Sequence, residues 1–159
     1  MKKIIFLFLM FSAIVFAEWK AGIAYLSSGD PLTTFTTYDL EEKGASIVVG
    51  VNVNYDYSVV TIRINDKIKK DDDLVLIVTD NEDNDINCTF HSDDIKDYRI
   101  TVPSNRASVL TKMLYNGKSA VLENTDTDEI LAKFDLKGIK QIMEKYVGSS
   151  YWYKYKLND

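Results

Sequence analysis

Apolar and polar residues alternate at every second position over much of this chain, which is typical of strands with one buried face. Three sets show the pattern most clearly: Val51, Val53 and Tyr55; Val60, Ile62 and Ile64; and Leu74, Leu76 and Val78. The same period predicts strands over residues 86–90, 98–102, 119–123 and 130–135. Residues 19–26 and 33–38 add two more, around a turn at Gly29, Asp30 and Pro31.

The segment 104–115 has helical spacing instead. One face of the predicted helix carries Ala107, Leu110, Met113 and Leu114. Ser104 is placed to cap its amino end, and Gly117 is placed to stop it.

The segment 136–147 has a cleaner helical stripe, made of Leu136, Ile139, Ile142, Met143, Tyr146 and Val147. Asp135 is the predicted N-cap, and Gly148 the predicted end. We expect both amphipathic helices to pack on the core.

Many short strands with few helices indicate antiparallel sheets. The sequence therefore predicts a mainly β fold, an antiparallel β-sandwich-like domain with two amphipathic helices, with α+β as the alternative class. The length of 159 residues fits one domain. We expect a single β-rich domain over residues 18–159 that ends with a helix and an aromatic tail.

The first seventeen residues have the layout of an export signal. Lys2 and Lys3 precede an apolar run over residues 4–11, and Val15 and Ala17 stand three residues and one residue before the expected cut. A helical bilayer span needs about 20 residues, more than this segment offers. We expect residues 1–17 to be a signal peptide cleaved after Ala17, with no stable membrane span afterwards. An uncleaved anchor is the alternative.

Lysine outnumbers arginine 16 to 3, which is typical of a low-GC bacterium. With the export signal, this composition predicts a periplasmic or secreted bacterial protein. Removing residues 1–17 lowers the formal net charge from −5 to −7, because two lysines are lost. A chain this acidic repels phosphates, so we expect no nucleic-acid partner.

Few residues are suited to catalysis. Cys88 is the only cysteine, and its alternation with Ile86 and Phe90 predicts a small inward-facing side chain on a strand; a reactive thiol and an intermolecular disulfide are the alternatives. His91 is the only histidine and is expected at the surface. The common motifs of serine hydrolases, zinc hydrolases and nucleotide enzymes are missing from the sequence. We therefore expect no catalytic residues, no metal site and no cofactor.

The acidic run over residues 80–85 is the most conspicuous polar feature. Carboxylates at alternate positions suit calcium, but an EF-hand frame that starts at Asp83 would put Cys88 where glycine is required. We expect a solvated hairpin turn here, with weak calcium binding left open. The acidic runs 71–73 and 126–129 are expected to be loops.

The chain ends in an aromatic, basic segment. If residues 151–156 are extended, Tyr151, Tyr153 and Tyr155 share one face, and Trp152 lies on the other. Such residues can stack on sugars or contact a protein, so Tyr151, Trp152, Tyr153 and Tyr155 form the candidate binding surface. A closing strand or packed tail is the alternative.

Residues 47–147 carry an order of features found in a known family: VTIRIN at 60–65, the helix NRASVLTKMLYNG at 105–117 and AKFDLKGIKQIMEKY at 132–146. Here the chain resembles the small exported proteins of the TagO/VasI type, associated with type VI secretion. The matching residues before the last helix are Ala132, Phe134, Asp135, Leu136 and Gly138. The resemblance implies an exported β-rich domain with a C-terminal helix and brings no catalytic residues. The family's cysteine pair has no counterpart, because Cys88 is alone.

These observations favour an exported, non-catalytic accessory or binding protein of the cell envelope that contacts an envelope protein or a cell-wall glycan. Two alternatives stay open. One is a small secreted hydrolase that uses Asp/Glu pairs, and the other is an inhibitor of an exported enzyme. Two facing carboxylates in a pocket would favour the hydrolase, whereas an unpaired sheet edge would favour binding.

Overall fold

The computed structural model describes residues 18–65, 68–69 and 71–149. Within them the strands are β1 (Lys20–Tyr25), β2 (Pro31–Tyr38), β3 (Ser46–Asn52), β4 (Tyr57–Arg63), β5 (Leu74–Asp80), β6 (Asp85–Phe90), β7 (Ile95–Lys96), β8 (Arg99–Val102), β9 (Gly117–Asn124) and β10 (Glu129–Asp135). The helices are α1 (Ser104–Asn116), between β8 and β9, and α2 (Ile139–Val147), after β10.

The strands form two antiparallel sheets. Sheet A has the order β1-β2-β3-β4-β8-β7, and sheet B has the order β10-β9-β5-β6. The first four strands of sheet A follow the chain order, whereas sheet B places β9 between β5 and β10. The predicted class, a mainly β, antiparallel, sandwich-like domain with two helices, is confirmed.

One apolar core joins the inner faces of both sheets and both helices. Sheet A contributes Phe35, Ile47 and Ile62, and sheet B contributes Leu76, Leu122 and Phe134. Helix α1 inserts Leu110 and Leu114, and α2 inserts Ile139 and Met143. The alternating sets predicted at residues 60–64 and 74–78 are buried as expected, because every second side chain of a strand faces the same side.

The strand predicted across Val51, Val53 and Tyr55 is shorter than expected, since β3 ends at Asn52. The Asn52 side-chain oxygen accepts hydrogen bonds from the backbone N–H groups of Asn54 at 2.9 Å and Tyr55 at 3.2 Å. These two donors are therefore used in a local turn, which is a common role of asparagine. Val53 and Tyr55 are exposed as a result.

Both helix starts differ from the prediction. The backbone carbonyl of Pro103 accepts the first helical bonds of α1, so the cap position belongs to Pro103 and Ser104 is already helical. Helix α2 begins at Ile139, because Gly138 adopts a left-handed conformation with a φ of 91°. The Asp135 carboxylate caps the preceding turn by accepting the Lys137 N–H at 2.9 Å. Tyr146, predicted on the buried stripe, is exposed.

A buried carboxylate ties sheet A to sheet B. Asp39 directly follows β2, and one of its oxygens accepts the backbone N–H of Lys133 on β10 at 2.8 Å. The other oxygen accepts the backbone N–H of Lys43 at 2.9 Å. The backbone N–H of Leu40 also donates to the Lys133 carbonyl at 2.8 Å. Sheet B is thus joined to the β2–β3 connection by hydrogen bonds as well as by the core.

Candidate binding surface

His91 lies at the surface, as predicted, directly after β6. Its Nδ1 is 2.8 Å from an oxygen of Asp73, and both side chains are about half exposed or more. Asp73 lies in the loop before β5, so the pair joins two neighbouring segments at one end of sheet B. Exposed pairs of this kind are weak. The arrangement is that of a surface contact.

The acidic run over residues 80–85 forms the β5–β6 hairpin turn, as predicted. One oxygen of Asp80 accepts the backbone N–H groups of Glu82 at 2.8 Å and Asn84 at 2.9 Å. Asp83 adopts a left-handed conformation and pairs with Lys118. Within the described residues, no group of three or more His, Cys, Asp or Glu side chains is close enough together to hold a metal ion. Asp80, the first carboxylate of the run, therefore stabilises the turn by accepting these hydrogen bonds.

A cavity of about 230 Å³ lies between the two sheets, and its described lining includes two carboxylates, Asp72 and Glu129. Its apolar lining includes Ile64 and Leu131. A glycosidase acid needs a desolvated setting to keep its proton, and Glu129 is exposed. Asp72 accepts the backbone N–H of Lys69 at 3.1 Å and so stabilises the local loop. The cavity therefore gives the hydrolase alternative little support.

Cys88 lies on the same face of β6 as Ile86 and Phe90 and packs against the core. The predicted inward orientation is confirmed, with the side chain half buried. Burial raises the pKa of the Cys88 thiol, and the nearby Arg106 guanidinium offsets only part of this effect. A raised pKa reduces the thiolate fraction, and the thiolate is the reactive form.

We expect Cys88 to react with iodoacetamide about tenfold more slowly in the native protein than in the urea-unfolded protein at the same mildly alkaline pH. Mass spectrometry of quenched samples measures the rate. Equal rates in the two states would show that the thiol is accessible and would favour the reactive-thiol alternative.

Strand β1 is the most exposed edge of the sandwich. Its apolar side chains Ile23 and Tyr25 are each 71% exposed, although they point to the inner side of sheet A, as Ala21 does. The core extends under Ala21 and stops before Ile23. An apolar strip therefore continues from the core to the solvent along this strand.

The register of β1 against β2 determines where its backbone groups point. Tyr25 is opposite Pro31, which has no N–H, and the Leu26 N–H donates to the Asp30 carbonyl at 2.9 Å. Tyr25 and Pro31 are therefore a non-hydrogen-bonded pair, and the bonded positions alternate from there. The N–H and C=O groups of Ala21, Ile23 and Tyr25 consequently face away from β2. They have no further hydrogen bond in the described part of the chain.

Two of the other described sheet edges, β10 and β7, are blocked, and β6 is blocked at one carbonyl and carries no exposed large apolar side chain. Lys133 on β10 bonds to Asp39 and Leu40, and the Arg106 guanidinium donates to the Thr89 carbonyl on β6 at 2.7 Å. Strand β7 has only two residues. Natural edge strands are usually blocked by charge, proline, a bulge or shortness, and β1 has six regular residues with one charge, Lys20, at its start.

The predicted binding residues Tyr151, Trp152, Tyr153 and Tyr155 lie outside the described residues. The exposed edge was missed at the sequence level because β1 reads like any other predicted strand. Its composition, with a single charge at Lys20 and no proline, also fits an interior strand.

Comparison with protein-family models, curated proteins and solved structures finds no match for this chain. The fold and the surface are thus the basis for assigning a role. Neither α1 nor α2, the helices of the described ranges, is long and apolar enough to cross a bilayer.

Proposed function

We propose that this protein is an exported, non-catalytic binding protein of the cell envelope that docks an extended segment of a partner protein on β1. The observation that carries the proposal is an edge that pairs with β2 alone among the described strands, where three residues, Ala21, Ile23 and Tyr25, present outward backbone donors and acceptors beside an apolar strip. Addition of a strand to such an edge is a common mode of peptide recognition.

The geometry of β1 defines the chemistry of the partner segment. Side chains on the inner side of an added strand would lie beside Ile23 and Tyr25, so that side favours apolar residues. The outer side of β1 carries Gly22 and Ala24, whose small size leaves room for bulky side chains. The partner is therefore an extended segment with alternating apolar residues.

Export belongs to the same proposal and rests on the layout of residues 1–17. The resemblance of residues 47–147 to TagO/VasI-type proteins supports an envelope role and stays a prediction. An inhibitor of an exported enzyme would be a special case of the same edge recognition. The hydrolase alternative would require the carboxylates of the cavity between the sheets.

The test is selection of displayed random peptides on the exported protein, followed by affinity measurement with edge variants. Ile23→Pro removes an outward N–H that has no hydrogen bond to another described residue, and Ile23→Lys adds a charge at the edge. We expect selected peptides to alternate apolar residues and to bind either variant about tenfold or more weakly than the original protein. Hydrogen exchange of the Ile23 amide should slow when the peptide is bound.

The matched control is Val109→Lys, because Val109 is an exposed apolar residue on α1, away from β1. It should leave peptide affinity unchanged. Peptides that bind Ile23→Pro as well as the original protein would overturn the proposal. A dimer in sedimentation experiments that Ile23→Lys dissociates would assign the edge to a second copy of the chain instead.

A further inference from the structure

A row of positive side chains crosses the outer face of sheet A. The register places Ser46 opposite Arg63, Arg63 opposite Arg99, and Arg99 opposite Lys96. Residues directly opposite each other in an antiparallel pair point to the same face, with Cβ atoms roughly 5 Å apart. Arg63, Arg99 and Lys96 therefore form a continuous line across three strands, and all three are exposed.

The basic row, made of Arg63, Arg99 and Lys96, destabilises the fold. Like charges directly opposite each other on neighbouring strands repel, and the row contains two such pairs in succession. None of the three forms an ion pair within the described residues, whereas Lys43, Lys118 and Lys133 all do. The cations thus do not contribute to the sheet as salt-bridge partners.

The basic row lies in an open groove of about 490 Å³. Tyr38 and Tyr98 line the same groove and are about half exposed, and Asp97 is the one acidic residue among the described lining residues. The Lys20 ammonium lies 5.6 Å from the centre of the Tyr38 ring, which adds a fourth cation at the border. A groove with net positive charge and accessible aromatic rings stands out on a chain of net charge −5.

We infer that this groove binds an anionic polysaccharide, with the basic row holding carboxylate or phosphate groups and the tyrosines stacking on sugar rings. A bound anion would remove the repulsion between Arg63 and Arg99, which explains why the fold tolerates it. Planar guanidinium groups favour such oxygen ligands, and tyrosine offers a sugar both a flat apolar face and a hydroxyl.

A polysaccharide fits better than a nucleic acid or an acidic peptide. Nucleic-acid sites neutralise many phosphates with a long basic stripe, whereas this groove offers three cations and Lys20 at its border. An acidic peptide would use the cations and would not need the rings of Tyr38 and Tyr98. Apart from Lys20 at its border, this site shares no residue with β1, and Ala21, Ile23 and Tyr25 do not line it, so either proposal can fail without the other.

Binding of four probes to the full exported protein tests the inference: alginate oligosaccharides, neutral dextran of similar length, polyglutamate and a single-stranded DNA oligonucleotide. We expect alginate to bind most tightly and dextran not to bind. Arg99→Gln should weaken alginate binding about five- to tenfold and make its salt dependence shallower. Tyr98→Ala should weaken alginate binding and leave polyglutamate unaffected.

Matched controls are Lys145→Gln, which makes the same charge change on α2, and Tyr146→Ala, which removes a similarly exposed ring. Neither should change alginate affinity. Arg99→Gln should also raise the melting temperature slightly at low salt, because it relieves two repulsive contacts. A lower melting temperature would show a structural role and overturn the inference. So would alginate binding that ignores Arg99, or tighter binding of DNA or polyglutamate.

Discussion

Replacing Asp39 with alanine is expected to lower the free energy of unfolding by about 2–4 kcal/mol, because two backbone donors lose a charged acceptor. The Asp39 side chain is 6% exposed, and each of its oxygens accepts one backbone N–H, from Lys43 and from Lys133. Water reaches this position poorly, so the N–H groups would not be fully resatisfied. Urea denaturation followed by far-ultraviolet circular dichroism measures the change.

Glu41→Gln is the matched control for this effect. Glu41 lies two residues away and bridges the side chains of Lys43 and Lys133 at the surface. The hydrogen bonds from Lys133 and Lys43 lower the pKa of Glu41 to about 2. Exposed ion pairs contribute little to stability, so we expect a much smaller change than for Asp39. Equal effects of the two substitutions would refute the role of Asp39 as the link between the sheets.

Phe35→Ala is expected to lower the free energy of unfolding by about 3–5 kcal/mol. Phe35 lies on the inner face of β2, is fully buried and belongs to the core that both sheets share. Truncation removes a large apolar side chain and leaves a cavity that the surrounding strands cannot close completely.

Tyr25→Ala, on the neighbouring strand, gives the comparison. Tyr25 is 71% exposed, so we expect its loss to change stability by less than about 0.5 kcal/mol. Thermal and urea unfolding of both variants measure the difference. A large loss of stability for Tyr25→Ala would mean that β1 is covered in the folded protein, and would contradict its assignment as a free edge.

The fold class followed from the sequence because local alternation reports burial directly. Val60 and Ile62, or Leu74 and Leu76, could be assigned to buried faces from their spacing alone. The end of β3 could not be predicted in the same way, because the Asn52 side chain takes two donors that the strand would otherwise use. Gly138 likewise shortens α2 through its backbone conformation, although the apolar stripe begins earlier at Leu136.

The candidate surfaces depend on strand order and register, which local patterns do not contain. Arg63 and Arg99 are far apart in the sequence and become neighbours only because β8 pairs with β4. Strand β1 is likewise an edge because, among the described strands, it pairs with β2 alone. The aromatic residues of the tail are contiguous in the sequence, whereas the basic row is assembled from three strands.

The placement of β9 between β5 and β10 has a consequence for how the chain reaches its native state. Strands β1 to β4 pair with their immediate successors, so this part of sheet A needs only short loops to close. In sheet B, β5 pairs with β9, and the chain between these two strands contains β6, β7, β8 and α1. Pairing β5 with β9 therefore closes a longer loop, which costs more chain entropy. Sheet A needs a comparable loop closure where β8 pairs with β4, so we expect these two nonlocal pairings together to form the slow step of folding.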